Sequence, residues 1–238
     1  MGVVSTPVAP ASLQRLGPAA QLRAGRVPRR LTQLMLGLTL LGASLALVVR
    51  GGLGMLPWDV LHYGVARHLP LSFGGVVIAV GLLLLLLWVP LREMPGLGTV
   101  LNAVWVGVSA DLTLAVVPAA TDLPWQVALM AVGIVVNGAA TAMYIGTQLG
   151  PGPRDGLMTG LARVTPLSLR TVRTLIEITV VVAGWLLGGI VGLGTVLFAL
   201  AIGPLTQLFL PWFTVHLPAP RAARTARGGG ASGVAVPE

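Results

Sequence analysis

The chain has 238 residues, 55% hydrophobic and only 9% charged, with a formal net charge of +8 and no Cys. Soluble domains carry roughly a quarter of their residues as charged side chains, so this balance excludes a fold solvated mainly by water; the missing thiols exclude disulfides and Cys-ligated metals. The basic residues are all Arg and stand at the ends of apolar stretches, a placement unlike the basic surface with stacking aromatics that nucleic acid requires.

Residues 1–30, rich in Pro, Ala and Arg with no apolar stripe, are predicted to be a disordered basic tail. A first apolar stretch covers 31–49, near the roughly 20 residues that cross a bilayer. A Gly- and Pro-rich loop then leads into a short helix predicted at 57–69, too short to span, with Pro57 at its start and Asp59 in its first turn. Apolar stretches at 71–89 and 97–117 follow, and another comes at 125–145. A second short helix is predicted at 153–165, with Pro153 and Asp155 placed as Pro57 and Asp59 are. Stretches at 172–190 and 192–213 complete six predicted spans, and 214–238 reads as a second disordered tail.

Arg15, Arg23, Arg26, Arg29, Arg30, Arg92, Arg154, Arg163, Arg170, Arg173, Arg221, Arg224 and Arg227 all fall on one side of such a six-span arrangement, and Arg50 and Arg67 on the other. The positive-inside rule therefore predicts both termini in the cytoplasm and a multi-pass protein of a bacterial inner membrane. Trp58, Trp88, Trp125 and Trp212 lie near span ends, where aromatic anchoring at the membrane interface is expected.

Set against itself at an offset of about 96 residues, the chain matches without a gap, with roughly a third of the aligned positions identical. Leu53, Gly54, Pro57 and Asp59 match Leu149, Gly150, Pro153 and Asp155, and the run from Gly96 to Leu101 recurs from Gly192 to Leu197. The expected organisation is thus two three-helix repeats, 31–118 and 124–213. Three crossings per unit force the second to lie inverted relative to the first, an architecture associated with secondary transporters.

Three signatures carry a family resemblance: Gly-Leu-Gly-x-x-Pro-Trp-Asp at Gly52 to Asp59, Gly-Pro-Gly-Pro-Arg-Asp-Gly-Leu at Gly150 to Leu157, and Gly-Thr-Val-Leu at Gly98 and again at Gly194. By these the chain resembles the YczE/YyaS/YitT group of bacterial membrane proteins, most of all its YczE branch, over nearly all but the tails. The resemblance implies membership and a membrane fold, and no particular substrate.

Helical spacing puts Asp59, Tyr63 and Arg67 on one stripe of the first short helix and Asp155, Thr159 and Arg163 on the matching stripe of the second, with Leu61, Val65, Leu157 and Leu161 facing away. Two accounts fit. In one, each helix lies at the interface with its apolar face on lipid; in the other, each is re-entrant and its polar stripe binds a substrate. Asp111 and Glu177 lie within predicted spans and are the candidates for ion coupling, because a carboxylate is costly there. Asp111 also suits a group reaching headgroup water, and Glu177 suits a pair with Arg173 four residues away. Asn102 and Asn137 are expected to bond between helices.

Asp59 and His62 share a helix face, but no nucleophile or metal ligand joins them, so neither an enzyme nor a cofactor or metal site is expected. The sequence therefore predicts an all-α membrane protein of six transmembrane helices in two inverted repeats, each with a short amphipathic or re-entrant helix. The leading function is a small secondary transporter for an unidentified solute; the alternative is a non-transporting accessory protein that scaffolds a partner. Its expected partners are the bilayer and that solute, with a homodimer also compatible.

Overall fold

The computed structural model describes residues 17–217, in which every regular element is an α-helix. These are α1 (Pro18–Arg23), α2 (Val27–Gly51), α3 (Pro57–Ala66), α4 (Phe73–Leu91), α5 (Leu97–Val116), α6 (Leu123–Gly146), α7 (Pro153–Val164), α8 (Leu169–Leu186) and α9 (Leu193–Phe213). Five of them, α2, α4, α5, α6 and α9, are long and apolar enough to cross a membrane. The remaining expected span, α8, has 18 residues but opens on Arg170, Arg173 and Glu177, so it matches the others in length and not in apolarity.

Helix starts follow the local chemistry. Pro occupies the first turn of α2, α3, α6 and α7, where its missing N–H costs nothing. Ser72 and Ser168 cap α4 and α8 by accepting the N–H groups of Gly75 and Thr171 at 3.0 and 3.1 Å. The α2 helix stops at Gly52, whose φ of 70° is the left-handed geometry that Gly adopts without strain.

The expected tails are only partly testable, since 1–16 and 218–238 lie outside the described residues. What is described of them is folded back. Arg30 is fully buried and donates to the carbonyls of Gln21, Thr147 and Gln148 at 2.5, 2.7 and 2.9 Å, which ties α1 to the end of α6. Val215 is buried too, its N–H on the Gly146 carbonyl at 2.9 Å. Unmet carbonyls at a helix end, not sequence polarity, decide the order of these flanks.

The centre is the pair α2 and α6, with α5 against α2 and α9 against α6. Gly42 brings α2 onto the backbone of α5 at Val106, and Gly138 brings α6 onto Leu205 of α9. The short helices cross over: α3 packs on α8 and α7 on α4. A Cβ at Gly64 of α3 would stand 2.6 Å from the Gly184 carbonyl of α8, so this crossing requires its small residues.

Matching contacts recur across the fold. The N–H of Gly98 donates to Leu149 at 2.8 Å and that of Gly194 to Leu53 at 2.9 Å. Arg67, from α3, donates to the Gly188 carbonyl just past α8; Arg163, from α7, donates to the Leu91 carbonyl at the end of α4.

One contact has no counterpart. Helices α4 and α5 meet closely, Gly74 against Gly107 and Gly81 against Ala103, whereas α8 and α9 barely touch. At the positions of α8 that correspond to Gly74 and Gly81 stand Arg170 and Glu177.

Candidate functional site

A cavity of about 150 Å³ lies where the two crossings meet. Leu41, Leu45, Val77, Val80, Leu84 and Phe198 form an apolar wall; Trp58, His62, Asn102, Tyr144, Arg154, Asp155, Arg173 and Glu177 form a polar one. The first turns of α3 and α7 both abut it, through Pro57 and Trp58 on one side and Pro153, Arg154 and Asp155 on the other. With Asn137 and Thr141, ten charged or hydrogen-bonding groups surround this small space in so apolar a chain, which makes it the candidate functional centre.

Asp59 is wholly buried, with Oδ1 at 3.1 Å from Nδ1 of His62 and 4.0 Å from Nη2 of Arg154. Its Oδ2 has no hydrogen-bond partner among the described residues. The Arg154 guanidinium lies 5.1 Å from the centre of the Trp58 ring, a cation–π distance, and makes no hydrogen bond among the described residues. Asp155 accepts from the Tyr144 hydroxyl at 2.7 Å. Arg173 donates Nε–H to Glu177 Oε1 at 2.9 Å, the i to i+4 pair that the spacing offers.

The predicted stripe does not converge as a unit. Asp155 faces the cavity and Asp59 stands behind its wall. Tyr63 instead packs against the main core, and Thr159 is exposed, its hydroxyl turned back to the Gly156 carbonyl at 3.1 Å. Arg67 and Arg163 work at the far ends, on the carbonyls described above, and Arg163 also pairs with Glu93 at 3.0 Å. The face that meets the cavity is the one carrying Trp58 and His62.

Neither short helix lies with a free apolar face: Pro57, Trp58, Asp59, Val60, His62 and Gly64 of α3 are buried, as are Gly156, Leu157, Met158 and Gly160 of α7.

Asp111 lies outside the cavity. Its carboxylate accepts from the Ser72 hydroxyl at 2.5 Å and from the Gly74 N–H at 2.7 Å, which satisfies the start of α4. Asn137 makes the expected bond between helices, to Ser44 Oγ at 2.8 Å, and both it and Asn102 line the cavity. Two of the expected interfacial anchors are internal: Trp58 lines the cavity, and Trp88 is buried with its Nε1–H on the Pro153 carbonyl at 3.0 Å. Trp125 and Trp212 are exposed at 47% and 71% and fit the anchor role.

Sequence reasoning passed over Arg154 and Tyr144. A signal existed for the first: Arg154 occupies the repeat position of Trp58, and the two touch. Tyr144 carries none, because its mate is Val48 and its function depends on Asp155 reaching it from another helix.

Comparison with known proteins agrees with the membrane reading. Residues 28–211 match the family described as "Family of unknown function (DUF6198)". An "Uncharacterized protein" of Haemophilus influenzae is 40% identical over 177 residues, which cover 74% of this chain and 81% of the relative. The "Uncharacterized membrane protein YczE" of Bacillus subtilis is 33% identical over 177 residues, 74% of this chain and 82% of its own length. The "Uncharacterized protein YyaS" of the same organism is 27% identical over 185 residues, 76% and 92% of the two chains. No solved structure matches the chain.

Proposed function

This chain belongs to the DUF6198 family, and from that premise we propose that it is a small secondary transporter of the bacterial inner membrane, with the cavity between α3 and α7 as its solute site. The observation that carries this reading is the cavity itself: a charged, partly apolar space between two broken-helix starts at the junction of the two halves. Discontinuous helices whose starts face a central site are the usual way a transporter exposes polar backbone without exposing it to lipid.

Inverted repeats supply the movement. Helices α2 to α5 and α6 to α9 begin at positions about 96 residues apart, and the crossed contacts of Gly98 and Gly194 and of Arg67 and Arg163 are what a pseudo-two-fold relation predicts. Rocking one half on the other exchanges the side to which the cavity opens, with both termini in the cytoplasm. The loose contact of α8 with α9, set against the tight one of α4 with α5, supports a structure captured at one end of that motion.

The cysteine-free chain allows a test that needs no substrate. Thr141 lines the cavity, so Thr141→Cys, placed in vesicles of each orientation, is expected to react with a membrane-impermeant thiol reagent from both sides. Reaction from one side only would leave no pathway through the protein and sink the transport reading in favour of a scaffold.

A further inference from the structure

The charges at the cavity do not balance. Arg173 and Glu177 neutralise each other at 2.9 Å, which leaves Arg154 facing two carboxylates, Asp59 and Asp155. Around one unspent guanidinium the site therefore carries one negative charge too many. The two carboxylates differ in what they lack. Asp155 has its Tyr144 hydroxyl and faces the cavity; Asp59 has His62 on one oxygen and nothing on the other, which no solvent reaches.

Arg154 has donors to spare. Five N–H groups in a planar fork suit a carboxylate bidentately, and the guanidinium sits over the Trp58 ring at 5.1 Å. An anion beside it adds to the excess of negative charge unless a proton arrives with it. A fully buried oxygen is closed to a solute cation and open to a proton.

We propose that the cavity binds a small monocarboxylate together with one proton, Arg154 taking the carboxylate and Asp59 the proton by way of His62. The proposal rests on the transport reading for its purpose and on the cavity alone for its chemistry. His62 lines the cavity and holds Nδ1 at 3.1 Å from Asp59 Oδ1. A proton from water adds at Nε2, the Nδ1 proton passes to Oδ1, and the imidazole ends neutral beside a neutral carboxyl group. The groups that set this charge state are His62 on α3 itself, Arg154 and Asp155 on α7, Tyr144 on α6, and the Arg173–Glu177 pair on α8, while α4 contributes no titratable group. With that proton on Asp59, a bound carboxylate leaves the site at one negative charge, as before binding, where without the proton the excess would rise to two. The apolar wall takes the solute's hydrocarbon end, and a cavity of this size admits about six non-hydrogen atoms, the size of benzene in an apolar cavity of like volume.

Isothermal titration of the purified full chain with isobutyrate, isobutyramide, isobutylamine and octanoate tests this, run at neutral pH in buffers of different ionisation enthalpy so that proton uptake is counted. Isobutyrate is expected to bind with uptake of close to one proton, its apparent Kd rising about tenfold per pH unit on the alkaline side. Arg154→Gln is expected to abolish that binding, and Asp59→Asn to keep it without proton uptake or pH dependence. The proton count on the unaltered chain stands whether or not either variant folds. Stronger binding of the amine or the amide, isobutyrate binding without proton uptake, or octanoate binding more tightly than isobutyrate would each overturn the proposal, the last by pointing to an acyl chain drawn from the bilayer. Absence of isobutyrate binding overturns it as well, and leaves the Thr141→Cys result to decide transport separately.

Discussion

At the scale of single residues, the costliest side chains in this chain divide by what they are hydrogen-bonded to. Asp111 was a natural candidate for ion coupling, since nothing near it in sequence pairs with it, yet it holds the Ser72 hydroxyl and the Gly74 N–H at the start of α4. Removing a carboxylate that accepts two such bonds costs about 1–3 kcal/mol. Asp111→Ala is thus expected to lower thermal stability by about that amount, measured by detergent-phase unfolding, while isobutyrate binding persists in the variant that folds. Loss of proton uptake with stability intact would return Asp111 to the coupling role. Asp59 and Asp155 were legible from the polar stripes of the short helices, and Glu177 as a carboxylate within an expected span. Arg154 and Tyr144 were not, because their partners come from other helices and side-chain spacing along one helix carries no record of them.

For the helices, the starts were readable and the faces were not. Pro and Asp in the first turn located α3 and α7, and apolar runs located α4, α6 and α8, to within a few residues. Which face of α3 met the cavity depended on α8, a partner more than a hundred residues away, so the amphipathic stripe was a poor guide and Trp58 with His62 took its place. The asymmetry between α4–α5 and α8–α9 gives a sharp comparison. Gly107 presses on the Gly74 carbonyl, whereas a Cβ at Gly203, its repeat mate, would meet nothing within 4 Å. Gly107→Ala is expected to destabilise by about 1–3 kcal/mol through overpacking. Gly203→Ala is expected to be neutral or to stabilise by up to about 1 kcal/mol through helix propensity. Equal effects of the two in a thermal unfolding series would mean that α8 and α9 close in the membrane as α4 and α5 do.

For the whole molecule, the internal match at about 96 residues constrains topology even where each half alone is ambiguous. It implies that the ends of α3 and α7 emerge on opposite sides. Leu69, just beyond α3, and Val164, the last residue of α7, are 48% and 60% exposed and are the places to ask. Leu69→Cys should be modified from outside intact cells and Val164→Cys only in inverted vesicles; modification of both from one side would refute inversion. The crossed seating of α3 on α8 also bears on how the protein is made. A ribosome delivers α3 to the membrane long before it has synthesised the helix that α3 needs, so the face around Gly64 must stay unpartnered through most of translation. The first half thus depends on late residues to finish it, and a truncated product ending before α8 would leave the backbone of α3 around Val60 and Gly64 uncovered, a natural mark for membrane quality control.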